Sequence, residues 1–269
     1  MEIEFGARSD MGRARPNNED SFCVAPEVNL FVLSDGMGGQ SSGEVASRLT
    51  SDTVVAHCRE ALANPSLRLQ GDAISGASQA ANRLASAIRL ANRAVHHSAQ
   101  ENAAYSGMGA TVVAVLLDDE RACIAHVGDS RAYRLRNREL ESLTQDHSFI
   151  AEQVRQGMMS AEEANHSNLQ NVLMRAVGAD AEVEVEVNEE LFAEDDTLLL
   201  CSDGLTKELS DAQIANVLAK NDDAQVAADQ LVQLANDAGG SDNITVIVLR
   251  HAPKLVGTFG KLGRWFKGS

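Results

Sequence analysis

Leu30-Phe31-Val32-Leu33 runs into Ser34-Asp35-Gly36, and Leu198-Leu199-Leu200-Cys201 runs into Ser202-Asp203-Gly204. Each reads as a buried strand that stops on a carboxylate, because a short apolar run bounded by a turn signal marks a core strand. A carboxylate just past such an end sits at the rim of a sheet, where a metal or a substrate can reach it. The competing reading at each place is an Asp-Gly hairpin turn. Neither Met37-Gly38-Gly39-Gln40-Ser41-Ser42-Gly43 nor Leu205-Thr206-Lys207-Glu208-Leu209 reads as a strand able to pair back across a tight turn, which disfavours hairpins.

Outward from the first site, residues 3–8 and 21–25 read as further strands, and helices are predicted over about 44–62 and 75–101. Residues 111–117, 122–127, 131–135 and 139–143 then alternate with turn residues such as Asp118-Asp119 and Gly128-Asp129, as an antiparallel meander does. Residues 146–180 turn polar and helical, an excursion from the core. Strands are predicted again at 183–187, 197–201 and 243–249, with helices at about 211–218 and 224–238. Strands interleaved with paired helices, without strict alternation, predict an α+β fold with an antiparallel core and helices packed on it.

The chain has 269 residues, 44% hydrophobic and 23% charged, enough to bury a large core in a single domain, taken as 1–252. Residues 253–269 differ: Lys254, Lys261, Arg264 and Lys267 stand there without an acid. Removing those four charges from the net −16 leaves −20 on the rest. Leu255, Phe259, Leu262 and Phe266 would share a helical face, which would permit docking on a membrane surface or a partner, although Gly257, Gly260 and Gly263 oppose a helix and favour a flexible tail. The strong negative charge speaks against a nucleic-acid partner. Cys23, Cys58, Cys123 and Cys201 are scattered, with neither a disulfide framework nor a thiolate zinc pattern. No membrane-length apolar run and no signal-peptide layout is visible, so the expectation is a cytoplasmic protein.

Three more acidic positions fall at strand boundaries: Asn17-Asn18-Glu19-Asp20, Gly128-Asp129 and Ser241-Asp242-Asn243. In an antiparallel sheet the start of one strand lies beside the end of its neighbour, so Asp20 and Asp242 (starts) and Asp35, Asp129 and Asp203 (ends) can share one edge. Five carboxylates at such distances repel unless protons or cations compensate them. Carboxylate and carbonyl donors suit hard octahedral ions, Mg²⁺ or Mn²⁺, better than Zn²⁺. A carboxylate bridging two such ions can hold a shared water or hydroxide for in-line attack on phosphorus, which predicts phosphate-ester hydrolysis. Arg13 and Arg15 lie just upstream of Asp20 and offer a guanidinium for the phosphate.

These motifs run in a fixed order: Ser9-Asp10-Met11-Gly12 with Arg15 and Asn17-Asn18-Glu19-Asp20, Ser34-Asp35-Gly36-Met37-Gly38-Gly39, Gly107-Met108-Gly109-Ala110-Thr111, Val127-Gly128-Asp129-Ser130-Arg131, Thr144 with Asp146-His147-Ser148, Ser202-Asp203-Gly204-Leu205 and Ser241-Asp242-Asn243-Ile244-Thr245. The ordered set spans nearly the whole chain and resembles the metal-dependent protein phosphatases of type 2C, in their bacterial serine/threonine branch. The resemblance implies a four-layer α-β-β-α sandwich with two central antiparallel sheets, a metal pair in the cleft between their edges, and a small flap subdomain at about 146–180. It implies that Asp35 bridges two ions, that Gly36 lends its carbonyl to one, and that Asp203 and Asp242 hold the other. Asp20, with Glu19 as a substitute, would act on the Gly36 side. Asp129 with Asp203 would form a third metal site, and Arg15, rather than Arg13, would bind phosphate and serve catalysis with Asp35.

The implied activity is hydrolysis of phosphoserine and phosphothreonine in proteins by a monomer, opposing a cytoplasmic serine/threonine kinase. The alternative is a catalytically weak pseudophosphatase that binds phosphoproteins as a regulatory module. Its basis is Gln40, where bacterial relatives usually carry a histidine suggested as the acid for the leaving oxygen; an amide cannot donate a proton as an imidazole does. A metal-bound water or a residue such as His147 would have to replace it, whereas His126, flanked by strand residues, reads as structural.

Overall fold

Period-two alternation along the apolar strands sends neighbouring side chains to opposite faces, and here both faces are buried. The computed structural model describes residues 3–38, 42–164, 167, 169 and 172–251. Gln40 and the basic tail lie outside them. One antiparallel sheet has the order β1 (Ile3–Asp10), β11 (Ile244–His251), β10 (Thr197–Cys201), β7 (Arg131–Arg136), β8 (Glu139–Ser142). The other runs β2 (Asp20–Ala25), β3 (Leu30–Met37), β5 (Val112–Asp118), β6 (Arg121–Val127), β9 (Glu186–Leu191), with the short β4 (Gly109–Ala110) paired to the end of β3.

Phe31, Leu33, Val113 and Val115 of one sheet meet Leu198, Leu200, Ile247 and Leu249 of the other in a central apolar layer. The alternate residues face outward. Leu30, Val32, Val112 and Ala114 pack under α1 (Ser42–Ala63) and α2 (Gln79–Glu101). Leu199, Cys201, Val246 and Val248 pack under α6 (Asp211–Lys220) and α7 (Ala224–Ala238). The result is the expected four-layer α-β-β-α sandwich. Because strands such as β3, β10 and β11 are buried on both faces, they read as continuous apolar runs.

Between β8 and β9 the chain leaves the sheets and forms α3 (Phe149–Arg155) and α4 (Ala161–Ala164). This excursion is tied back at its base, where Arg131 donates from Nε and Nη2 to the two oxygens of Asp146 at 2.8 and 2.7 Å. Ala110 and Val177 exchange backbone hydrogen bonds of 3.0 and 2.8 Å beside the end of β3.

Three elements differ from the sequence reading by three residues or more at a boundary. The strand that begins at Leu30, expected to stop on the Asp35 carboxylate with Ser34 as its last residue, continues through Asp35 and Gly36 to Met37, because β4 pairs with Gly36 and Met37 and extends the ladder. Helix α2 starts at Gln79, where the Ser78 side chain accepts from Ala81 N at 3.1 Å and caps it. The strand expected at 183–187 lies instead at Glu186–Leu191. The acids that masked it are engaged: Glu189 accepts from Ser78 N at 2.7 Å, and Glu190 pairs with Arg134 at 2.9 Å.

Candidate active site

The register of the second sheet sets Asp20 and Asp35 directly opposite each other on β2 and β3. Asp35 is fixed through its main chain. Its N–H donates to Thr111 Oγ1 at 3.1 Å, its carbonyl accepts from Thr111 N at 2.8 Å, and Thr111 Oγ1 meets Ser130 Oγ at 2.6 Å. Asp20 reaches across to the first sheet, where its Oδ2 accepts from Ser202 Oγ at 2.9 Å and Thr245 Oγ1 at 2.6 Å. Its other oxygen, Oδ1, is buried with no hydrogen-bond partner.

Asp203 opens the short helix α5 (Asp203–Glu208) straight after β10, and Asp242 precedes β11, so the first sheet delivers both at the same edge. Asp203 Oδ1 is likewise buried and unpartnered, while Oδ2 pairs with Lys207 Nζ at 2.6 Å. Arg15 forks onto Asp242, Nε to Oδ1 at 2.8 Å and Nη2 to Oδ2 at 2.9 Å. Arg13 is exposed, and its backbone N–H donates to Gly240 O at 2.7 Å. Asp129 follows β6 and Gly128, whose φ of +107° turns the chain.

The two Asp-Gly glycines share a steric reason. A Cβ on Gly36 would stand 2.0 Å from Gly43 O, and one on Gly204 would stand 2.0 Å from Asn243 O. Both glycines are crossed by another backbone segment at the distance only glycine allows.

Electrostatics shows that the carboxylates were brought together. Burial, then the charges of Asp20, Asp203, Asp129 and Asp242, pushes Asp35 well above the ordinary carboxylate range. Burial also lifts Asp20 to about 7, against the two hydroxyl donors and reinforced by Asp203 and Asp242. Asp129 rises to about 7 through burial and the charges of Asp203 and Asp146. Asp203 rises by burial, opposed by Lys207. Asp242 alone falls: burial would raise it, but hydrogen bonds and charge from Lys207, with help from Arg15, outweigh that cost.

Such a cluster needs cations. Two buried carboxylate oxygens without partners and an all-oxygen donor set fit hard divalent ions. Asp20, Asp35, Asp129, Asp203 and Asp242 are the side chains able to hold them, with the Gly36 carbonyl on the same strand as Asp35.

Two contributors were not legible as functional. Asn243 donates from Nδ2 to Met11 O and Asn17 O, both at 2.9 Å, and its Oδ1 accepts from Glu19 N at 2.8 Å, so it pins the loop carrying Arg15. Lys207 bridges Asp203 and Asp242, and its only sequence signal is the i,i+4 spacing from Asp203 on a helix.

Behind Asp129, the rings of His126 and His147 stack with centroids 4.5 Å apart, and Glu186 completes a group with metal-ligand residue types. Its hydrogen bonds explain it without an ion. His126 Nε2 meets Gln145 O at 2.8 Å, His147 Nδ1 accepts from Gly128 N at 3.1 Å, and His147 Nε2 faces Glu186 Oε2 at 3.1 Å and Arg175 Nη1 at 3.2 Å. With both ring nitrogens engaged and the side chain buried, His147 is not positioned as the substitute acid for a leaving group. His126 is buried on β6 with its Nε2 at the Gln145 carbonyl.

The family described as Protein phosphatase 2C matches residues 12–244. A curated relative, the serine/threonine phosphatase stp of Listeria welshimeri, is 35% identical over 252 residues, covering 93% of this chain and 95% of that protein. The crystal structure of the serine/threonine phosphatase Stp1 from Staphylococcus aureus superposes with a TM-score of 0.82 at 35% identity, over 94% of this chain and 96% of that one. The catalytic domain of the serine/threonine protein phosphatase PstP, solved in complex with two manganese ions, gives a TM-score of 0.78 at 34% identity, over 92% and 97%.

Proposed function

The chain belongs to the protein phosphatase 2C family, and from that premise we propose that it hydrolyses phosphoserine and phosphothreonine in proteins with Mn²⁺ or Mg²⁺ in the acidic cleft. The observation that carries this reading is the convergence of Asp20, Asp35, Asp129, Asp203 and Asp242, with an unpartnered buried oxygen on Asp20 and on Asp203 and with Arg15 at the rim. In this assignment Asp35 would serve both ions, Gly36 and Asp20 would help hold one, and Asp203 with Asp242 would hold the other. Asp129 and Asp203 offer a third position.

The chemistry supplied by the bound ions is a hydroxide nucleophile generated from water at neutral pH, together with charge to offset the phosphate. The chain's own residues do the rest. Arg15 has a side chain 45% exposed, so its guanidinium can meet a phosphate dianion arriving from solvent and hold two of its oxygens. Asn243 keeps the Arg15 loop in register with β11. Thr111 holds the Asp35 backbone, so that carboxylate is aimed by the sheet and not by a mobile loop.

No helix among the described residues is long and apolar enough to cross a membrane. We place the enzyme in the cytoplasm as a monomer opposite a serine/threonine kinase, with residues 146–180 as a flap beside the cleft and the basic tail as a docking element. The complete carboxylate set favours an enzyme over a phosphoprotein-binding module, whose basis, Gln40, lies outside the described residues. The test is phosphate release from a phosphothreonine peptide with Mn²⁺, before and after chelator. Activity should vanish with chelator and return with Mn²⁺; turnover that persists in chelator would refute the metal-dependent reading.

A further inference from the structure

Lys207 lies one helical turn beyond Asp203 on α5, and its Nζ stands 2.6 Å from Asp203 Oδ2 and 2.8 Å from Asp242 Oδ2. These are the two carboxylates assigned above to one ion. The lysine side chain is only 27% exposed, so the ammonium is held against the acids and away from bulk water.

The donor count at Asp242 is decisive. Oδ1 receives Arg15 Nε at 2.8 Å and Asn243 N at 2.9 Å, while Oδ2 receives Arg15 Nη2 at 2.9 Å and Lys207 Nζ at 2.8 Å. An ionised carboxylate offers about four lone-pair sites, and all four are directed at N–H donors. A divalent ion can join Asp242 only if one of those donors yields. Arg15 holds on through two contacts and the Asn243 N–H through its own residue's backbone, which leaves the single contact of Lys207 as the weakest link. Two cations on one carboxylate pair also repel each other directly.

We propose that Lys207 is a tethered counter-cation that competes with the metal ion for Asp203 and Asp242, and thereby sets the free Mn²⁺ or Mg²⁺ concentration at which this site fills. The displaced ammonium has somewhere to go. Lys207 lines a cavity of about 630 Å³ together with Asp129, Asp203, Thr206 and Asp211. Asp211, an exposed acid at the start of α6, lines the same cavity as a further carboxylate.

The inference rests on the metal reading of the cleft, and calorimetric titration of Mn²⁺ into the full chain separates the two. Wild type is compared with Lys207→Met, which keeps the aliphatic stem, and with Lys207→Gln. The expected result is that both variants bind one of their ions about tenfold more tightly, a cautious figure for removing a partly screened positive charge. Chelator-treated Lys207→Met should also melt below wild type, since Asp203 then loses its paired cation while Asp242 keeps Arg15, and should gain more in Tm when Mn²⁺ is added. Equal affinity in wild type and both variants would overturn the competition while leaving the metal site intact. Weaker binding in the variants would overturn it too, and would make Lys207 a residue that orients the carboxylates. No Mn²⁺ binding by any of the proteins would refute the metal reading and this proposal together.

Discussion

The two Ser-Asp-Gly segments begin alike and end in different structures. After Leu30–Leu33 the backbone stays in the strand through Asp35 and Gly36, paired with β2 on one side and β4 beyond. After Leu198–Cys201 it turns at once into helix α5, with Ser202 as N-cap and Asp203 as the first helical residue. The charge environments differ in the same sense. The largest charges that shift Asp35 are carboxylates; Arg15 lies near both acids, but only Asp203 has a lysine, Lys207, four residues on. A strand supplies no neighbour at i+4, whereas a helix does. One carboxylate is therefore left for added cations to neutralise, and the other carries a cation with it.

If the difference is functional, the two acids will not be equivalent. Asp35→Asn should lower kcat/KM by about 10³-fold or more, with no recovery at high Mn²⁺. Asp203→Asn should lose about 10²-fold and recover in part as Mn²⁺ rises, because Asp242 remains to hold the same ion; these sizes are those of removing a principal electrostatic contact from a catalytic site. Phosphate release from a phosphothreonine peptide, measured across a Mn²⁺ series, gives both values. Equal losses with equal rescue would erase the distinction.

The glycines test the likeness that remains. Gly36→Ala and Gly204→Ala each place a methyl 2.0 Å from a carbonyl oxygen. Each should therefore destabilise the fold by about 1–3 kcal/mol or more, the range for overpacking against groups that cannot move aside. Thermal unfolding of the two variants should give similar losses. A harmless alanine at either position would mean that its crossing segment can shift, and that the two glycines are not set by one steric rule.

Much of this was legible in the chain because it rests on local pattern. The doubly buried strands appear as apolar runs, and the acids that follow or precede them mark one edge. The resemblance to type 2C phosphatases added the two sheets and their stacking, which no local pattern encodes. The true end of β3 is not legible because Ser34-Asp35-Gly36 is turn chemistry in isolation. Pairing with β2 on one side, and of Gly36 with Ala110 and Met37 with Gly109 on the other, more than 70 residues away in sequence, keeps it extended. Lys207 was illegible for a related reason. Its spacing to Asp203 is visible once α5 is known to be a helix, but its contact with Asp242 depends on how β11 enters beside β10.

The smallest expected effect concerns the metal-free protein, and its sign separates the two acids. Asp20 and Asp129 sit at about 7 in the fold and Asp35 well above the ordinary range, against an unfolded value of 3.8. A raised carboxyl binds its proton more tightly when folded, so its contribution to stability is complete below the unfolded value and is lost as pH rises through the folded one. Chelator-treated protein should therefore lose Tm between about pH 5 and pH 8, the window above 3.8 that extends through the shifted values near 7. Replacing Asp35 by the neutral Asn removes one member of the repelling set, so Asp35→Asn should raise the metal-free Tm at pH 8, by the equivalent of about 1 kcal/mol. Asp203→Asn should not: the same exchange that relieves repulsion also deprives Lys207 of a carboxylate 2.6 Å away. Melting curves of the three chelator-treated proteins at pH 5 and pH 8 decide the matter. A gain at pH 8 in both variants would show that Lys207 does not compensate Asp203, and a gain in neither would show that the carboxylates at Asp35 are relieved by something other than protons.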